Sequence, residues 1–290
     1  MQKKTGRPEE IKSSLTRYLS GSLVLLQQKP VPGDKAIHDL RVLMKKYRAA
    51  VKLIKPMLDE DTYRREYLAG REAGRMLCSW RETSVLRKTL KSLKKANPDL
   101  FLKLWDNETV QNLLRKPYTS WQAAGEMARS VTEISTLIRK ALYRVRFLSL
   151  TKPDVHQLLQ QLNQNYIAAA KAYLDSRNNP KPSLLHEFRK KSKTFLYQLY
   201  YFRQLNPLAV RSLEKRLDTL TQNLGGYNDL AQIIGIIGYK YGNPGNSPVT
   251  DELAAVIKNR QDDYLIKVWP SAFRIFSPGK SLRDLLGVAF

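Results

Sequence analysis

Apolar positions along this chain recur every three or four residues, the period of a helix buried on one side. From residue 9 to 28 the row is Ile11, Leu15, Tyr18, Leu19 and Leu23. Prolines and a glycine interrupt it at 29–34, where Asp34 stands as an expected helix N-cap. A second row runs Ile37, Leu40, Met44, Tyr47, Val51, Ile54 and Leu58, with Pro56 kinking or ending the helix. Further helices are expected over 60–80, with Tyr63, Tyr67, Leu68 and Leu77 inward, then over 81–96, from 97 to about 117, and over 120–150. The plan then restarts with a helix at 154–177, a loop at 178–183 and a helix at 184–204, whose row is Leu185, Phe188, Phe195, Leu199 and Phe202. Asn206-Pro207 precedes a helix at 208–224, and Gly225-Gly226 reads as a tight turn into another ending near 240. Residues 242–248 form a loop and 250–269 a last helix, with Pro270 onward irregular. No strand-like alternation of useful length occurs, so the expected class is all-α.

The second apolar row has a companion shifted by one residue: His38, Arg41, Lys45, Arg48, Lys52 and Lys55. The two rows lie about 100° apart on a helix, so one packs inward while the other lines a flank. No acid occurs from Leu40 to Leu58. Like charges at i,i+4 work against a helix, so an all-positive row implies an anion that sits on it. The pattern recurs as His186, Arg189, Lys193 and Arg203, with no acid from Phe188 to Leu213. His-x-x-Arg-x-x-x-Lys appears in both copies, and the histidines at 38 and 186 are 148 residues apart. A second landmark follows each at nearly equal distance, Leu77 to Glu82 and Leu224 to Asp229. Matching order and spacing imply an internal duplication.

These motifs resemble those of the conserved histidine α-helical domain family, CHAD. The two signature helices are similar to His-x-x-Arg-Val-x-x-Lys/Arg-Lys/Arg-x-Arg, and Leu224 to Leu230 resembles its Leu-Gly-x-x-Asn-Asp-Leu turn. The resemblance covers roughly residues 10 to 270. It implies duplicated four-helix bundles with pseudo-two-fold symmetry around a basic central groove or pore, and it implies binding of inorganic polyphosphate. Thr194 and Leu196 stand where basic residues are usual, which predicts a weaker second face. Residues 1–290 then form a single domain. Its parts are a first repeat at 9–96, linking helices at 97–150 without later counterpart, a second repeat at 151–241, and a C-terminal helix and tail at 249–290. The expected polyphosphate-binding residues are His38, Arg41, Lys45, Lys46, Arg48, Lys52, Arg71, Arg75, Arg81, Arg139, His186, Arg189, Lys190, Lys193, Arg203 and Arg216.

Composition points the same way. A formal charge of +24 over 290 residues calls for an anionic partner. Non-specific nucleic-acid binding is the alternative that charge alone leaves open. A baseless phosphate chain can thread between packed helices, whereas duplex DNA cannot. The chain lacks a strongly amphipathic terminal helix with exposed aromatics, so no membrane partner is expected. No apolar run reaches transmembrane length and no signal peptide is evident, which gives a soluble, cytoplasmic expectation, with association to polyphosphate granules. Three scattered histidines and the single Cys78 make no metal set, and His156 reads as structural. No nucleophile elbow or Walker loop occurs, so neither catalysis nor a cofactor is expected.

Overall fold

The structure is a computed structural model that describes residues 8–27, 32–105, 107, 110, 111, 114, 121–150, 155–237 and 248–288; the side chains of residues 8, 9, 79–81 and 121–124 fall outside the description. Among the described residues there are eleven α-helices and no strand. They are α1 (Pro8–Leu26), α2 (Asp34–Leu53), α3 (Glu60–Arg75), α4 (Cys78–Ala96), α5 (Pro98–Lys103), α6 (Trp121–Arg146), α7 (Val155–Asn178), α8 (Pro182–Leu199), α9 (Pro207–Ile236), α10 (Pro248–Phe276) and α11 (Leu282–Leu286). Single 3-10 turns at Lys55–Met57 and Tyr200–Phe202 follow the two signature helices, α2 and α8.

The apolar rows bury as their period requires. Ile37, Leu40, Met44, Tyr47, Val51 and Ile54 are nearly inaccessible on α2, as are Leu185, Phe188, Phe195 and Leu199 on α8. Contacts close two rings of four helices. In the first, α1 touches α2, α2 touches α3, and α6 closes against α1 and α3. In the second, α7 touches α8, α8 touches α9, and α10 closes against α9 and α7. The rings join where α2 meets α8, and the buried Gln198 amide donates there to the Ala49 carbonyl at 2.9 Å. One continuous core runs through both rings.

A smaller core lies outside them. Leu86, Leu90 and Leu93 of α4 pack with Phe101 of α5 against Ile233 of α9 and Ile257 of α10. Thus α4 leaves its own half for the other, and α6 takes the fourth place in the first ring. The expectation that the long linking helix has no later counterpart is corrected, because α6 and α10 occupy matching places.

Several boundaries differ from the sequence reading, each for a physical reason. The third helix ends at Arg75 and the fourth begins at Cys78, because buried Leu77 carries the seam through the turn between them. Leu68 is exposed rather than inward. Asp34 is the first helical residue of α2 and Gly33 its cap. The Asp34 carboxylate instead accepts from Ser84 Oγ and lies 3.7 Å from Lys88 Nζ, tying α2 to α4.

The Gly225-Gly226 pair is no turn, since α9 runs unbroken through it. A Cβ on Gly226 would lie 2.3 Å from Tyr264 Cζ, and one on Gly225 would lie 3.1 Å from an Arg189 nitrogen. The pair exists for close approach, which offsets about 0.5–1 kcal/mol of helix propensity per glycine. Likewise α10 continues through Pro270 to Phe276, because Val268, Ala272, Ile275 and Phe276 are buried beyond the point where a proline would otherwise end a helix.

Candidate functional site

The flank of α2 that carries the basic row faces α8. Between them lies a cavity of about 230 Å³ lined by Lys45, Arg48 and Lys52 of α2, Tyr67 of α3, and Arg189, Lys190, Lys191, Lys193, Thr194 and Tyr197 of α8. Glu187 is the one acid among its described lining residues. The two repeats therefore present cations to a shared cleft, which i,i+3/i+4 spacing on each helix makes possible.

Burial, and after it the crowding of like charge, shifts the ionisable groups of the cleft. Burial, then the Arg189, Arg41, Arg48 and Lys193 cations, push the Lys45 ammonium down from 10.5 to about 8. Burial likewise lowers Lys52, aided by Lys191 across the cleft and opposed by Glu187. Arg48 is lowered mainly by burial, against the effect of Tyr67, which hydrogen-bonds it. The Arg48 Nε is buried with no hydrogen-bond partner. Burial, then Lys190 and Arg189, lowers the His186 imidazole and favours its neutral form near pH 7.

Compensation is unequal between the faces. Among the described residues no carboxylate lies within ion-pair distance of Arg41, Lys45, Lys46, Arg48 or Lys52. On α8, Glu187 holds Lys190 at 2.6 Å and Lys191 at 3.4 Å. From α9, Asp218 holds Lys193 at 2.9 Å, and Glu214 accepts from Arg203 Nε and Nη2, each at 2.8 Å. The signature arginines carry a second duty. Arg41 Nη1 donates to the Gly74 carbonyl at 2.6 Å, and Arg189 Nε donates to the Thr221 carbonyl at 3.2 Å. Each thus bolts its helix to the next one.

The sixteen nominated residues divide as follows. Lys45, Arg48, Lys52, Arg189, Lys190 and Lys193 line the cleft, and Arg41 acts on Lys45 beside it. Arg71 acts on Arg48 from α3. His186 stands on α8 within reach of Arg189 and Lys190, while His38 is exposed on the first turn of α2. Lys46 and Arg203 lie in another hollow. Arg75 pairs with Glu72 on an exposed side of α3, and Arg139 and Arg216 are exposed on α6 and α9; none lines the cleft. The Arg81 side chain falls outside the described residues.

Sequence reasoning missed Lys191, Thr194, Tyr67 and Tyr197. The first two were legible: Glu187, Lys190, Lys191 and Thr194 form one helical row beside the nominated one. Tyr197 reads as core, yet its ring also carries Lys193 at 5.6 Å. Nothing in the sequence marks Tyr67. Among the described residues no three His, Cys, Asp or Glu cluster to hold a metal, and no helix is long and apolar enough to cross a membrane.

Fold and site together define an all-α, duplicated helical-bundle protein with a cationic cleft between its signature helices. The profile of the CHAD domain matches residues 23–236, and the chain belongs to that family. Its structure is similar to the crystal structure of the CHAD domain from the plant Ricinus communis, with a TM-score of 0.57 and 17% identity, covering 100% of this chain and 94% of that one. At that identity the likeness shows the fold. None of the curated proteins matches the chain.

Proposed function

We propose that the α2–α8 cleft binds inorganic polyphosphate without catalysis, through charge-assisted hydrogen bonds from Lys45, Arg48, Lys52, Arg189, Lys190 and Lys193. The carrying observation is the lining of the cleft: lysines and arginines of α2 and α8 face one cavity with Glu187 as the one acid among its described lining residues, and Lys45, crowded by four cations, has no carboxylate within ion-pair distance among the described residues. A flexible phosphate chain, with charge on every unit and no base to accommodate, suits a narrow cavity between helices. The working place we propose is the cytoplasm, at polyphosphate granules.

Competition tests the reading. Protein loaded with duplex DNA is titrated with polyphosphate at equal phosphate concentration. Displacement of the DNA is expected, and its retention would overturn polyphosphate as the preferred ligand in favour of non-specific nucleic-acid binding. Log affinity should fall with log salt with a slope of several contacts, as for any polyanion that sheds counterions. Release of orthophosphate during the titration would overturn the non-catalytic part.

A further inference from the structure

A second concentration of cations lies on the opposite flank of α2. A hollow of about 710 Å³ opens there between α1, α2 and the end of α8, lined by Arg17, Tyr18, Lys46, Tyr200, Tyr201 and Arg203. Its cations lie against tyrosine rings: Arg17 is 5.9 Å from the Tyr18 centroid, Lys46 is 5.7 Å from that of Tyr200, and Arg203 is 4.5 Å from the same ring. Glu10 stands among the lining residues, and Glu214 already neutralises Arg203. Arg17 and Lys46 have no carboxylate within ion-pair distance among the described residues. Burial lowers Lys46, and Arg17, Lys193 and Arg203 lower it further.

The two hollows share a wall. Tyr197 lines the α2–α8 cleft, and its ring carries Lys193 of the cleft at 5.6 Å and Lys46 of the second hollow at 5.8 Å. Lys193 and Lys46 thus stand as consecutive cations across one ring, and Arg17 and Arg203 come next. We infer that a polyphosphate held in the cleft continues past Lys193 and Lys46 into the tyrosine-walled hollow, where Arg17 is a contact that only long chains reach. This rests on the polyphosphate reading of the cleft and adds to it a subsite that selects for chain length. Arg17 belongs to no signature motif, and its place follows from α1 packing beside α2.

The test uses the full chain, tripolyphosphate, and a polyphosphate many units long. Arg17 is exposed, so Arg17→Glu leaves the core untouched. The expected result is about a tenfold loss of affinity for the long chain, because a repelling charge replaces an attracting one. Tripolyphosphate affinity and melting temperature should stay as in the wild type. Lys45→Gln, in the cleft, should weaken both ligands. If Arg17→Glu leaves long-chain affinity unchanged while Lys45→Gln lowers it, the extension is wrong and the cleft stands. Equal losses for both ligands in Arg17→Glu also overturn a separate subsite. If Lys45→Gln changes neither ligand, the cleft reading falls and takes the extension with it.

Discussion

Arg48 lies so close over Gly70 that a Cβ on the glycine would sit 2.9 Å from Arg48 Cγ. The same Cβ would meet Tyr47 Cδ1 at 2.7 Å. Tyr47 cannot yield easily, being fully buried with its hydroxyl donating to Glu66 at 3.0 Å. Gly70→Ala should therefore cost about 1–3 kcal/mol through overpacking, and should weaken polyphosphate by moving Arg48. Gly74, one turn on, meets nothing nearer than 3.8 Å, so Gly74→Ala should stabilise by about 0.5–1 kcal/mol. Melting curves of the two variants, with a polyphosphate titration of each, check the pair of opposite signs.

Binding should weaken as pH rises through about 8, where Lys45 loses its charge. Stability should move the other way. The folded pKa lies below the ordinary 10.5, so between about 8 and 10.5 the unfolded chain binds more protons at this site. Stability from this group therefore rises with pH across that window. Lys45→Arg should remove the binding step near pH 8, and Lys45→Gln should remove the stability term. A titration series and melting temperatures at matched pH decide it; a step that survives in Lys45→Arg belongs to another group.

The two faces of the cleft should contribute unequally. Substituting Lys45 and Lys52 by Ala removes cations without a nearby carboxylate among the described residues, except that Glu187 acts on Lys52. Each should cost on the order of 1.5–3 kcal/mol of binding if desolvated by the ligand, and less if exposed. Lys193→Ala should cost less, because Asp218 already holds that ammonium and must be displaced. Glu187→Gln should tighten binding, since it frees Lys190 and Lys191 and removes a negative charge from the cavity. Calorimetric titration of the four variants ranks them; weaker binding by Glu187→Gln would show that the carboxylate positions its lysines rather than competing for them.

Glu66 and Glu214 stand at equivalent places, each 28 residues after its motif histidine. Glu66 is buried and accepts from Tyr47, Arg65 and two nitrogens of Arg144, the nearer at 2.5 Å. It thereby joins α3, α2 and α6 across the first ring. Glu66→Ala leaves the Tyr47 hydroxyl buried without its acceptor and should cost about 3–5 kcal/mol. Glu214→Ala should cost less, because Arg203 is half-exposed and can turn to water. Urea denaturation midpoints give the comparison.

The period of the apolar residues determined where the helices lie and which side of each is buried, because burial of one face leaves a 3.6-residue imprint on any chain. The shifted basic row likewise determined that α2 and α8 present cations on one flank. Neither pattern says against which neighbour a face is buried. The apolar sides of α4 and α6 were equally legible, yet α6 closes the first ring and α4 crosses to α9, a choice made by fit between surfaces. Local turn rules read Gly225-Gly226 as a break, whereas the approach of Tyr264 and Arg189 to α9 requires a bare backbone there. From Phe188 to Leu213 the chain carries no acid, but Asp218 reaches Lys193 across 25 residues and Glu214 reaches Arg203 across 11. Helical side chains three or four apart meet by geometry alone; those on different helices meet only when packing brings them together, and so the balance of charge in the cleft was decided by the tertiary structure.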